Sequence, residues 1–176
     1  MRLAGLCGWS GAGKTTLMAR LIPELRSRRY TVSTVKHAHH DFDIDKPGKD
    51  SHVHREAGAS EVLVASSRRW ALIHELRDEP EPSLRELLAS LSPVDIVLVE
   101  GFKRDGFPKL EVHRPALGKA LLQPGDPCIQ AVASDAPLSL PVPVLDLGDI
   151  TGIADFLLQV AMPVSAFRSA SPAEKP

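Results

Sequence analysis

The stretch Gly8-Trp9-Ser10-Gly11-Ala12-Gly13-Lys14-Thr15 decides how this chain is read. It satisfies the pattern Gly-x-x-x-x-Gly-Lys-Ser/Thr in the setting that pattern requires. The apolar run from Arg2 to Cys7 predicts a strand before it, and Leu17, Leu21, Ile22 and Leu25 recur at helical spacing after it. Glycines in such a loop let successive backbone N–H groups turn inward around a phosphate. The helix beginning near Gly13 aims its free amides and positive dipole end at the same anion. Lys14 is placed to reach the outer phosphates, and Thr15 supplies the hydroxyl such loops use on Mg2+.

Outward from this loop, strand and helix signals alternate. A strand is expected over Tyr30 to Lys36, followed by a polar loop from His37 to Lys49. Asp50 or Ser51 then caps a short helix running through Ala57, with Gly58 as its stop. Glu61 to Ala65 and Arg69 to Glu75 flank Ser66-Ser67-Arg68 at hairpin spacing. Ser83 and Glu86 form a capping box ahead of Leu84, Leu87, Leu88 and Leu91 on one helical face. Asp95 to Val99 reads as a strand buried on both faces and ends in Glu100-Gly101. Further strands are expected at Lys109 to His113, Cys128 to Ala133 and Val142 to Leu147, before a helix carrying Ile153, Phe156, Leu157 and Val160. The pattern implies an α/β fold of the P-loop NTPase kind: a mostly parallel central sheet flanked by helices, with an antiparallel hairpin extension. One nucleotide-binding domain is expected over residues 1–162. The Pro-, Ser- and Ala-rich residues 163–176 are expected to form a flexible tail.

Composition narrows the function. The chain has 176 residues, with Lys+Arg 21 against Asp+Glu 22 and a net charge of -1, so no overall field draws it to nucleic acid or an anionic membrane. An anion must be bound locally. No signal-peptide pattern opens the chain and no long apolar stretch interrupts it, which points to the cytoplasm. Its two cysteines, Cys7 and Cys128, read as small buried hydrophobes in a reducing compartment.

Other candidates follow from position. In open α/β sheets ligands sit beyond the carboxyl ends of the strands. Glu100 is delivered there by its strand, towards Mg2+ and its waters. Lys36, at the end of the preceding strand, reads either as a phosphate contact or as a surface lysine. Lys103 and Arg104 raise the same choice, while Trp9 and Phe102 read as packing or partner-contact groups. Five of the seven histidines fall between His37 and His54, with Asp41, Asp43, Asp45 and Asp50 among them. The cluster invites a metal reading, but His52 and His54 are poorly spaced for one helical face. The alternative is a loop that closes over nucleotide, in which Asp50, at the start of a helix, is the acid of choice.

The phosphate loop, the run Val35 to Ser51, the segment Arg55-Glu56-Ala57-Gly58-Ala59, the run Val99-Glu100-Gly101-Phe102-Lys103 and Ala133-Ser134-Asp135 together resemble the molybdopterin-guanine dinucleotide biosynthesis adaptor proteins, the MobB family. The resemblance spans about residues 1 to 160, and its histidine-rich run is more specific than the phosphate loop. It implies a cytoplasmic GTP-binding homodimer with weak Mg2+-dependent GTPase activity. Such a protein assists the guanylyltransferase that joins GMP to molybdopterin. It carries Gly8, Ser10, Gly11, Ala12, Gly13, Lys14, Thr15 and Thr16 over as nucleotide contacts. A further likeness, to dethiobiotin synthetase, makes Lys36, Asp50 and Glu100 phosphate and Mg2+ candidates, with Thr15, Asp50 and Glu100 as the metal set and Lys14, Asp50 and Glu100 as the catalytic one. Many GTPases read guanine through an Asn-Lys-x-Asp tetrad, which this chain lacks. Asp135 reads either as a reduced version of it or as a turn aspartate before Pro137.

Three functions compete. The first is the GTP-binding adaptor, at most a weak GTPase. The second is a P-loop small-molecule kinase or an ATP-dependent ligase like dethiobiotin synthetase, although no arginine-dense lid is evident. The third makes the histidine-rich loop a metal-chaperone site. Self-association is expected through the hairpin near residues 61–75, whose edges are pairable.

Overall fold

The computed structural model describes residues 1–38, 42 and 44–169. The chain forms two compact units, one made of Met1–His37 with the chain from Leu84 onward and the other of Ala38–Ser83. The single domain expected from the sequence therefore carries an inserted second unit.

The larger unit is built on a sheet of β1 (Arg2–Cys7), β2 (Val32–Lys36), β5 (Ile96–Glu100), β6 (Lys109–His113), β7 (Ile129–Ser134), β8 (Val144–Asp146) and β9 (Met162–Pro163). The order β2-β5-β1-β6-β7-β8 is parallel throughout, and β9 pairs antiparallel with the first half of β1. Register explains β9: β6 meets β1 only from Gly5 onward, while β9 pairs with Arg2 and Leu3. The expected strands are present, their ends shifted by one or two residues, as is usual at element boundaries.

Helices α1 (Lys14–Ser27) and α4 (Ile150–Val160) cover one face. Leu17, Leu21 and Leu25 meet Ile153 and Leu157 over Ala4, Leu6, Leu98, Leu110 and Ala131, all buried. The Asp149 side chain caps α4 by accepting from the Gly152 N–H at 2.9 Å. The Arg2 guanidinium donates to the carbonyls of Leu158 and Ala161 at its other end, where the helix leaves acceptors unpaired.

On the opposite face α3 (Leu84–Ala89) and α5 (Val164–Ser169) enclose Leu3, Val97, Val99 and Phe107. Gly5 lies mid-strand because a Cβ there would meet a ring carbon of Phe107 at 2.3 Å. The flexible tail expected from residue 163 is structured as far as Ser169. Val164 and Phe167 are buried, and the Phe167 ring meets Phe107 edge-on with centroids 5.8 Å apart. Two well-placed apolar residues outweigh a composition poor in them.

The inserted unit contains α2 (Asp50–Glu56) and a two-stranded antiparallel sheet, β3 (Glu61–Ala65) with β4 (Trp70–His74). This is the expected hairpin. Arg55 joins it to the rest of its unit, pairing with Glu75 at 3.0 Å and Asp45 at 3.6 Å.

If α5 is anchored as described, Phe167→Ala should lower unfolding stability by about 3 kcal/mol. Urea titration would measure it, and a loss under about 1 kcal/mol would contradict the anchoring.

Candidate functional site

The site begins where β1 ends. Gly8 has φ +137°, and a Cβ on it would lie 2.4 Å from the Val112 carbonyl oxygen of β6, so the chain turns there only as glycine. Gly13, left-handed at φ +100°, occupies the N-cap of α1 without any side-chain cap. The first amides of α1 therefore face the loop without a partner from a capping side chain.

Lys14 folds back over this loop, its Nζ donating to the carbonyls of Gly8 and Trp9 at 3.0 Å each. Burial pulls its pKa below the ordinary lysine value, and the nearby Glu100 carboxylate works against that shift. Such an ammonium is poised to exchange two neutral carbonyls for an anion. The Thr15 hydroxyl donates to Glu100 Oε1 at 3.0 Å, and Lys36 Nζ lies 3.9 Å from the same oxygen. Glu100 is buried and Lys36 mostly exposed. A hydroxyl and a carboxylate so close are hard oxygen donors of the kind that Mg2+ prefers.

Gly13 also lines a pocket, together with Thr16, Leu17, Arg20, Arg114, Asp135 and Gly148. Asp135 follows β7 at the same sheet edge. Its Oδ2 accepts from Arg114 Nη1 at 2.6 Å, and Arg114 Nε donates to the Ala12 carbonyl at 3.1 Å. The structure thus brings the phosphate loop, Lys36, Glu100 and Asp135 together. Arg114 was not singled out from the sequence, because nothing local marks a residue whose partners lie 21 and 102 positions away.

Asp50 opens α2 of the inserted unit as its first helical residue and is exposed. Lys49 takes the N-cap position, so the expected capping role falls to neither Asp50 nor Ser51. The Ser51 hydroxyl donates instead to Asp45 at 2.6 Å. His39, His40, Asp41 and Asp43 lie outside the described residues. Among the described residues no group of three or more His, Cys, Asp or Glu side chains is arranged to hold a metal ion, and no helix is long and apolar enough to cross a membrane. Trp9 is fixed by its indole N–H, which donates to the Ala120 carbonyl at 2.7 Å, with the Lys103 ammonium 5.0 Å from the ring centre. Phe102 stacks at a tilt on His37, 4.8 Å between centroids.

A second feature missed in the sequence supports the loops. Lys109, Glu111 and His113 alternate along one face of β6, and all three are buried. Lys109 Nζ donates to the carbonyls of Lys103 and Asp105 and to Asp126 Oδ2, holding the turn that follows Glu100. Glu111 accepts from the N–H groups of Leu122 and Gln123. Burial of the Lys109 and Glu111 charges is offset by these hydrogen bonds.

The family profile described as molybdopterin guanine dinucleotide synthesis protein B matches residues 3–135. This chain belongs to the MobB family. It is 45% identical over 163 residues to the molybdopterin-guanine dinucleotide biosynthesis adapter protein of Escherichia coli (strain K12), covering 89% of this chain and 91% of that one. To the adapter protein of the same description from Haemophilus influenzae it is 44% identical over 158 residues, covering 88% and 86%. A crystal structure of molybdopterin-guanine biosynthesis protein B superposes with a TM-score of 0.70 at 27% identity, over 89% of this chain and 98% of the other. The MobB homolog from Bacillus stearothermophilus gives 0.63 at 26%, over 89% and 95%. Members of the MobB family thus share the mostly parallel sheet and the flanking helices described above.

Burial, and after it the Glu111 carboxylate, pushes the thiol of Cys7, directly before Gly8, up to about 12. At pH 8 only about one thiol in ten thousand would be ionised, so iodoacetamide should leave Cys7 unmodified in the native protein and label it in denaturant. Rapid native labelling, read by mass spectrometry, would mean that the end of β1 opens readily.

Proposed function

We propose that this chain is an adapter of molybdopterin-guanine dinucleotide biosynthesis that works in the cytoplasm by binding GTP with Mg2+. The observation that carries this reading is the arrangement about Gly13. Thr15, next but one to Gly13, forms the hydroxyl–carboxylate pair suited to Mg2+ with Glu100, and Gly13 itself lines a pocket that contains the Asp135 carboxylate. That is the layout a nucleoside triphosphate needs, with phosphates at one end and base at the other.

In this reading the amides of Gly8, Ser10, Gly11, Ala12, Gly13, Lys14, Thr15 and Thr16 cradle the phosphates. Lys14 leaves the Gly8 and Trp9 carbonyls to neutralise them, and Lys36 adds charge from the next strand. Thr15 and Glu100 would hold Mg2+, which when bound supplies charge neutralisation between the outer phosphates. Glu100, already accepting from Thr15, orients a water. Asp50 enters the metal and catalytic sets through the resemblance alone. Asp135 accepts from the guanine edge. Hydrolysis is weak and serves to time release of a partner, the guanylyltransferase that joins GMP to molybdopterin. The membership of adapter proteins among the relatives supports this role.

Competition titration of GTP against ATP, with and without Mg2+, tests the reading. GTP should win, Lys14→Ala should weaken binding at least about tenfold, and Glu100→Gln should remove the benefit of Mg2+. Preference for ATP, with phosphate transfer to a small acceptor, would overturn it in favour of a kinase or ligase.

The partner set includes a second copy of the chain. On one face of the inserted hairpin Leu63 stands opposite Leu72 and Ala65 opposite Trp70, with Leu63, Trp70 and Leu72 all exposed. A two-stranded sheet is marginal by itself in water, and an apolar face with free edges suits an isologous contact. Sedimentation should give a dimer for the native chain and a monomer for Leu63→Asp/Leu72→Asp. A native monomer at micromolar concentration would remove the dimer from the reading.

A further inference from the structure

We propose that Arg114 is the specificity-determining positioning residue at the base end of the site, orienting the Asp135 carboxylate for guanine and tying it to the phosphate loop. The proposal rests on the reading of Asp135 as the base acceptor.

Arg114 follows the last residue of β6 and spans two elements with one side chain. Its Nε donates to the Ala12 carbonyl at 3.1 Å and its Nη1 to Asp135 Oδ2 at 2.6 Å. A Cβ on Gly13 would stand 3.5 Å from Nε and 3.6 Å from Nη2, so the guanidinium rests against the last glycine before Lys14. Gly13, Arg114 and Asp135 all line the same pocket.

The chemistry required there is demanding. A carboxylate has two oxygens and about four lone-pair directions, of which Arg114 uses one on Oδ2. Guanine offers two parallel donors, its ring N1–H and its 2-amino group, and both are met only when the two carboxylate oxygens lie in the plane of the base. The terminal torsion of an aspartate is broad, so an unsupported side chain would not hold that plane. A planar guanidinium with fixed donor directions supplies the missing constraint. Adenine presents an acceptor nitrogen and a C–H at the same edge, so it offers the carboxylate no donor and sets its acceptor nitrogen against it, which is how such a site rejects it. The ion pair is about 40% exposed on both sides, so its contribution is geometric more than energetic. Where the Asn-Lys-x-Asp tetrad surrounds its aspartate with sequence neighbours, this chain reaches across from the adjacent strand.

The test compares GTP, XTP and ATP affinities of Arg114→Ala, Arg114→Lys and Asp135→Asn, each checked for native circular dichroism. Asp135→Asn should shift preference from GTP to XTP, since xanthine replaces the 2-amino donor by a carbonyl that the new amide can meet. Arg114→Ala should lower the GTP-to-ATP affinity ratio about tenfold, the loss of one oriented charge-assisted interaction, and Arg114→Lys should restore part of it. If Arg114→Ala lowers GTP and ATP binding equally, or leaves the ratio unchanged, while Asp135→Asn still shifts to XTP, the role of Arg114 is overturned and that of Asp135 stands. If Asp135→Asn leaves the preference for GTP unchanged, the base reading fails and this proposal fails with it.

Discussion

The approach of the Val112 carbonyl to Gly8 is the constraint on which the rest of the site depends. At 2.4 Å from any Cβ, that oxygen forces the end of β1 against β6 and fixes where the loop leaves the sheet. The two strands that flank β1 then carry the loop's dependents. Two residues beyond Val112 stands Arg114, bonded to Ala12, and β5 on the other flank of β1 delivers Glu100 to Thr15. Parallel neighbours bring their carboxyl ends to one edge, so a loop at the end of the central strand is in reach of both. A larger residue at position 8 would move the loop relative to all of them at once.

Holding that edge in place falls to charges on the far face of the sheet. Lys109 and Glu111 are nearly inaccessible, and isolated ions so placed would be costly. Each is instead hydrogen-bonded: the ammonium donates to two carbonyls and Asp126, and the carboxylate accepts from two backbone amides. The groups they bind belong to the turn after Glu100 and to the long connection between β6 and β7. A polar face on β6 thus does what an apolar one could not, since loops present backbone donors and acceptors rather than hydrocarbon. Burial of Cys7 beside Glu111 follows from the same enclosure.

What the sequence made legible was whatever repeats or closes locally. The phosphate loop, the apolar run into Glu100, the hairpin about Ser66-Ser67-Arg68 and the period of the flanking helices are each contained in a dozen residues, and each is present. Interactions that join distant positions were not legible. Arg114 looks like any surface arginine after a strand, and Lys109-Leu110-Glu111-Val112-His113 alternates as if one side met water, when both faces are covered. Phe167 misled in the opposite direction, since a Pro-, Ser- and Ala-rich context concealed an anchor supplied by β9 and its pairing with β1. The inserted unit is legible as a series of elements but not as a separate body, because the His- and Asp-rich change of composition after His37 reads equally well as a long loop of one domain.

The distribution of positive groups bears on why an adapter would hydrolyse slowly. Fast phosphoryl transfer generally employs an arginine on the transferring group, worth about three to five orders of magnitude in rate. Arg114 touches the loop, but its Nε and Nη1 donors go to Ala12 and Asp135 at the base end. Charge at the other end comes from Lys14 and Lys36, which neutralise phosphate as point charges without the planar fork that fits an expanding phosphoryl group. Under the proposed reading this division separates recognition from turnover. The guanidinium serves selectivity, the lysines serve affinity, and the bound triphosphate lasts long enough to act as a signal. A partner that contributed its own cation to the phosphate end would then set the rate from outside, which is the control an adapter requires.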